Sequence, residues 1–236
     1  MTDDRAPAGS PRAPSPPAGT LRADSVVLDL DGTLVDSAPG ILGSLREAFD
    51  ELGMPLPAGG LPHSLLGPPL YVSLPALVGE AATPELLTTY RRIYGERGLL
   101  RSPAFDGVDA LLHDLAAAGA TMAVATSKAE PYAERIVGHR GWTGLFATVC
   151  GDTLDRQRPT KADVVGEALR RLGSPAATPG SVVMVGDRLH DVVGARAHGV
   201  DCLGAGWGYA EPGELEEAGA VAVYSDPGDL RTALLR

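Results

Sequence analysis

Apolar positions along the chain fall into two kinds of run. Short, almost continuously apolar stretches occur at Ser25–Leu30, Thr121–Thr126, Ser181–Gly186 and Val200–Gly204, with weaker ones at Phe146–Cys150 and Ala220–Tyr224. Runs of that kind suit strands covered on both faces of a parallel sheet. Between them the apolar residues change to helical spacing. Val108, Leu111, Leu112 and Leu115 mark a helix over Val108–Ala118, with Gly119 placed to stop it. Val164, Val165, Ala168, Leu169 and Leu172 mark a second over Lys161–Leu172, again followed by a glycine. Strand and helix in alternation predict an open, mainly parallel, Rossmann-like α/β sheet.

The interval 37–102 breaks the alternation. It holds an amphipathic helical stretch over Ala38–Leu52, a Pro/Gly-rich stretch over Pro55–Pro69 and a helical stretch over Pro84–Arg97, with no strand-like run. We read it as a small helical domain inserted after the first strand. Ser102–Gly107 then forms the return into a core made of 23–36 and 103–236. Residues 1–22 carry Pro7, Pro11, Pro14, Pro16 and Pro17 among Ala, Gly and Ser and show no apolar period. That composition predicts a disordered tail, and it lacks the apolar centre of a secretory signal.

Composition narrows the classes of function. The 236 residues are 44% hydrophobic and 21% charged, which supports a packed core and argues against wholesale disorder. Thirty acidic against twenty basic residues give a net charge of −10, a field that repels nucleic acid. No apolar run is long enough to span a membrane, so neither nucleic acid nor membrane is expected as a partner. Two cysteines, Cys150 and Cys202, imply no disulfide framework and are expected as buried thiols in a cytoplasmic protein. Of the twenty cations eighteen are arginine; Lys128 and Lys161 are the two lysines. A chain that uses arginine almost everywhere keeps lysine where a compact point charge is needed.

Ligands of open α/β sheets bind beyond the carboxyl ends of the strands. There the chain places Asp29, Asp31, Gly32, Thr33 and Asp36 after the first run, Thr126, Ser127 and Lys128 after the 121–126 run, and Asp187 and Asp191 after the 181–186 run. Lys161 opens a helix. Several carboxylates on adjacent strand ends repel one another unless a cation sits between them, and oxygen-only ligation favours Mg²⁺. A hydroxyl and an ammonium beside them suit a phosphoryl group. Strand alternation places Asp29 and Asp31 on one face, where one can serve as nucleophile and the other as proton donor. Asp36 is expected to hydrogen-bond its own loop, Lys128 to be a solvated charge, and His190 to point away along its helix.

Asp29-Leu-Asp-Gly-Thr-Leu-Val-Asp-Ser37 resembles the first motif of the haloacid dehalogenase superfamily. Thr126-Ser-Lys128 resembles its second motif, Lys161 its third, and Gly186-Asp-Arg-Leu-His-Asp191 its fourth. The order matches, and the resemblance spans residues 24–236. It implies that Asp29 attacks phosphorus to form an aspartyl phosphate, and that Asp31 protonates the leaving alkoxide and then activates water. It implies Mg²⁺ on the Asp29 carboxylate, the Asp31 backbone carbonyl, Asp187 and Asp191. It also implies phosphate contacts from Gly32, Thr126, Ser127 and Lys161. Arg158-Pro159 is the alternative place for the third motif, and the surroundings of Lys161 fit better.

Asp31 and the absence of lysine from 37–102 disfavour dehalogenase and phosphonatase chemistry within the superfamily. Leu66-Gly-Pro-Pro-Leu70 and Gly206-Trp-Gly208 resemble the phosphoglycolate phosphatase branch. The resemblance thus implies a phosphatase acting on a small phosphorylated metabolite: phosphoglycolate, a sugar phosphate or a nucleotide. The alternative is a phosphoryl transferase similar to β-phosphoglucomutase.

Overall fold

A computed structural model describes residues 23–67, 70–173 and 181–235. The tail 1–22 lies outside the described residues, as do Pro68 and Pro69 of the Leu66–Leu70 segment. Six strands form one sheet: β1 (Ser25–Leu28), β2 (Thr121–Ala129), β3 (Phe146–Asp152), β4 (Val182–Gly186), β5 (Asp201–Ala205) and β6 (Ala222–Tyr224). Their order is β3-β2-β1-β4-β5-β6 and every pairing is parallel. Each of the six apolar runs is therefore a strand. The sheet is at once the expected α/β fold and the reason those runs are apolar on both faces.

Alternate residues of the central strand serve the two faces. Val27, with Ala123, Ala125 and Met184, packs under α6 (Lys161–Arg171) and α7 (Leu189–Arg196). Val26 and Leu28, with Met122 and Val124, pack toward α4 (Val108–Ala117), α5 (Glu130–His139) and α9 (Pro227–Leu234). A short helix, α8 (Glu214–Ala218), leans on α7. Cys150 and Cys202 are free thiols buried in the core, as expected.

Between β1 and α4 lie α1 (Ala38–Glu51), a 3-10 turn at His63–Leu65, α2 (Leu70–Val78) and α3 (Thr83–Ile93). The expected helix over Pro84–Arg97 is two pieces. After Ile93 the chain widens into a single π-turn, Tyr94–Gly98, closed by the Leu99 N–H on the Tyr94 carbonyl at 2.7 Å. Glycine makes that turn possible at its contact with α1: a Cβ on Gly98 would stand 3.0 Å from the Gly40 carbonyl oxygen. Single π-turns of this kind commonly mark functional sites, and here one carries Tyr94. Helix α2 begins just after the stretch read as Pro/Gly-rich and carries Pro75 in its interior. Among the described residues no helix is long and apolar enough to cross a membrane.

Candidate active site

The central strands deliver polar side chains at their carboxyl ends. Asp29 follows β1 directly, and its N–H still reaches the Val185 carbonyl at 2.9 Å. Asp187 follows β4, and Asp191 lies in the first turn of α7. All three are buried, and each offers a carboxylate oxygen within 4.8 Å of the others. Lys161 is the first residue of α6, whose start is fixed by reciprocal bonds: the Thr160 hydroxyl accepts from the Asp163 N–H at 3.2 Å, and the Asp163 carboxylate accepts from the Thr160 N–H at 3.0 Å. From there the Lys161 ammonium lies 2.8 Å from Asp29 Oδ1 and 2.7 Å from Asp191 Oδ1, and donates to the Ala125 carbonyl at 3.0 Å. Arg158 stands apart, paired with Glu130 at 3.0 Å.

Three buried carboxylates thus face one ammonium. Burial pushes the Asp29 carboxyl up to about 7, against the pull of Lys161, with the charges of Asp191 and Asp31 adding to the rise. Asp187 is raised well above the ordinary carboxylate range, by burial first and then by Asp191 and Asp29. For Lys161, burial works to lower the value, but Asp191 and Asp29 hold it above the usual lysine range and so keep it charged. An all-oxygen set carrying more negative charge than its lysine neutralises is suited to a hard divalent cation.

Asp187 is tied down within this cluster. The Thr33 hydroxyl donates to its Oδ1 at 3.2 Å and the Tyr209 N–H to its Oδ2 at 2.8 Å. Gly32, at φ +83°, passes so close that a Cβ there would collide with the carboxylate, its Cγ only 2.6 Å away. The Gly32 N–H donates to the Val35 carbonyl at 2.9 Å.

Asp31 opens onto the same cavity as Asp29, as expected, but from a turn rather than from the strand. β1 ends at Leu28, and the chain turns so that the N–H groups of Leu34 and Val35 both donate to the Leu30 carbonyl, at 2.9 and 3.0 Å. The Asp31 carboxylate is directed to Lys128, 3.0 Å away, and does not join the acidic cluster. Lys128 is accordingly no solvated charge. Its side chain is 8% exposed, and its ammonium donates to the Tyr94 hydroxyl at 2.7 Å. Burial works to lower its pKa, yet Asp31 and the two tyrosines Tyr94 and Tyr90 raise it beyond the usual lysine range. β2 reaches this point because it continues through Thr126 to Ala129, with an irregular register after Ala125. Gly151 of β3 lets it pass, since a Cβ there would stand 2.6 Å from the Glu130 nitrogen.

Asp29, Asp31, Thr126, Ser127, Lys161 and Asp191 line one side of a cavity of about 250 Å³. Ile41, Leu87, Tyr90 and Tyr94, from α1, α3 and the π-turn, line the other. His190, expected to point away, also lines it. Asp36 behaves as expected: its Oδ1 accepts from the Ala38 N–H at 3.1 Å and from the Tyr209 hydroxyl at 2.8 Å.

Residues 26–205 match the haloacid dehalogenase-like hydrolase family. The chain belongs to the haloacid dehalogenase-like hydrolases. Within that family it is similar to the tyrosine-protein kinase PtkA of Mycobacterium tuberculosis, 44% identical over 84% of this chain and 67% of that protein. The solved structure of PtkA superposes with a TM-score of 0.77 at 42% identity, covering 90% of this chain and 98% of that one. A 5′-nucleotidase of Pseudomonas aeruginosa is 34% identical over 91% of this chain and 96% of its own. A phosphoglycolate phosphatase of Xanthomonas campestris is 33% identical over 78% of this chain and 84% of its own. The chain is an enzyme of the phosphoric monoester hydrolase type.

As a haloacid dehalogenase-like hydrolase it carries two features that the sequence reading passed over. The Lys128–Tyr94 contact joins residues 34 positions apart, and the scarcity of lysine was its one signal. Tyr209 ties the loop after β5 to the start of α1, accepting from the Ser37 and Ala38 N–H groups at 2.8 and 3.1 Å. Trp207 assists by donating from Nε1 to the Thr33 carbonyl at 3.0 Å.

Proposed function

We propose that this enzyme is a Mg²⁺-dependent phosphatase that hydrolyses a small-molecule phosphomonoester through an aspartyl phosphate on Asp29. The observation that carries the reading is the buried Asp29–Asp187–Asp191 cluster around Lys161, with Asp31 opening onto the same cavity. Asp29 Oδ attacks phosphorus as the bond to the leaving oxygen breaks, and Asp31 donates its proton to that oxygen. Water then attacks the aspartyl phosphate while Asp31 takes the proton back, restoring both carboxyls. Mg²⁺ held by Asp29, Asp187 and Asp191, together with the Asp31 backbone carbonyl, would supply positive charge for the transferring group. Lys161 neutralises Asp29 and the phosphoryl oxygens, while Thr126, Ser127 and Gly32 hold the phosphate.

In this reading residues 37–102 act as a cap over the core 23–36 and 103–236, excluding bulk water when closed. The Tyr94–Lys128 bond supports it, because it links the helical segment to the acid–base residue. Two free buried thiols are consistent with a reducing, cytoplasmic setting.

The test is phosphate release from a panel of phosphomonoesters with and without Mg²⁺, using wild type and Asp29→Asn. Mg²⁺-dependent release that falls on the order of 10⁴-fold or more in the variant is expected. Undiminished release from Asp29→Asn would overturn the mechanism. The 44% identity to PtkA favours a second reading, transfer of the phosphoryl group to an acceptor hydroxyl. Label moving from γ-labelled ATP to a hydroxyl acceptor, faster than to water, would establish that reading instead.

A further inference from the structure

The side of the cavity opposite the carboxylates differs in chemistry from a site for a small, doubly anionic metabolite. Ile41, Leu65, Leu87, Tyr71, Tyr90 and Tyr132 line it. Tyr90 stacks on Tyr94 at 5.4 Å between ring centroids and 20° between planes, and Tyr94 meets Tyr132 edge-on at 6.2 Å and 80°. Tyr90, Tyr94 and Tyr132 are thus braced by one another and present fixed ring surface, while the Arg156 guanidinium lies over the Tyr71 ring, 3.7 Å from its centroid.

The cations of the cavity are mostly committed elsewhere. Lys161 holds Asp29 and Asp191, and Lys128 holds Asp31. Arg188 donates to Glu214 and to the Leu66 carbonyl, both at 2.7 Å. Among the described lining residues Arg91 is the cation without an ion pair, and it is exposed to solvent. Arg91 and Arg156 aside, a carboxylate or second phosphate carried beyond the reacting group would meet rings and aliphatic side chains there. A planar apolar group would displace water from that surface with little polar loss.

We propose that the substrate is a phosphomonoester whose leaving group carries an aromatic ring, lodged between the α1, α3 and α5 side chains. The inference rests on the phosphatase reading for the position of the phosphoryl group. The bond broken is the same P–O bond, and the proton passes from Asp31 to the departing oxygen.

Comparing 2-phenylethyl phosphate with ethyl phosphate tests the ring alone, because the two leaving alkoxides have closely similar basicity. The ratio of their kcat/KM values is expected at roughly 10–100 in favour of the ring, the gain from burying a side chain of that size. Phosphoglycolate should fall with ethyl phosphate. Tyr132→Ala and Leu87→Ala should each lower the ratio toward one, and a ratio taken within one variant does not depend on how much of that variant is folded. Nucleoside 5′-monophosphates and phosphotyrosine then distinguish a nucleobase from a phenyl ring.

A ratio near one, or a preference for phosphoglycolate lost in Arg91→Ala, overturns the inference and leaves the phosphatase reading standing. Calorimetry separates the reverse case. Tighter binding of 2-phenylethylphosphonate than of ethylphosphonate, with no turnover of any ester, would keep the aromatic site and overturn the phosphatase reading.

Discussion

Lys161 and Lys128 bring the same ammonium group into the same cavity from different parts of the fold, and their partners differ. Lys161 rises from the first turn of α6 and meets Asp29, Asp191 and a β2 carbonyl, all belonging to the sheet and its own crossover helices. Lys128 leaves the irregular end of β2 and divides its bonds between Asp31 and the Tyr94 hydroxyl of the π-turn. The first end of the cavity is thus built within the sheet and its crossover helices α6 and α7, which fixes it. The second is built jointly by sheet and helical segment, so its geometry depends on how those two meet. In the proposed mechanism, fixed charge suits the attack on phosphorus, whereas a shared contact suits the leaving-group side, where substrates differ.

That contrast can be broken most severely at Lys161. Lys161→Met leaves Asp29 and Asp191 buried together without their ammonium. In metal-free protein it should cost about 3–5 kcal/mol in a urea melt, as for other buried pairs that lose one partner. Phosphate release should fall on the order of 10³-fold even with Mg²⁺. Lys128→Met should do less. The Asp31 side chain is 19% exposed, more than Asp29 or Asp191, so the melt should shift by about 1 kcal/mol, while turnover falls roughly tenfold to a hundredfold because Asp31 loses its orientation. Equal losses at the two lysines would erase the distinction drawn here. The smallest effect belongs to the outer surface of the helical segment, where Arg92 pairs with Glu51 and Glu96. Arg92→Ala should change neither thermal midpoint nor turnover measurably, since exposed pairs of this kind contribute little. A clear loss there would mean that the helical segment transmits strain to the site.

How much of this was legible beforehand follows the same division. The six strands could be read because a doubly covered parallel sheet demands unbroken apolar runs, and the residues just past them could be read because ligands collect there. Asp29, Asp187, Asp191 and Lys161 converge as that argument requires. The direction of Asp31 could not be read, because it depends on a turn closed by two N–H groups on the Leu30 carbonyl. Nor could the partnership of Lys128, which depends on a π-turn that Gly98 and Gly40 permit by close approach. Helix α2 was missed because Pro75 lies within it and its sequence, Leu70 to Val78, has no polar face to set a period.

The placement of both lysines has a practical consequence for chemical probing. An amine-reactive reagent finds no lysine side chain on the outer surface, because each of the two is buried in the cavity. Acylation of either should therefore report on access to the active site, and a phosphate analogue should slow it. A lysine-specific protease likewise has only the bonds after Lys128 and Lys161 to cut, one at the irregular end of β2 and one at the first residue of α6. Its fragments would time the opening of this site during unfolding, without any label being added to the protein.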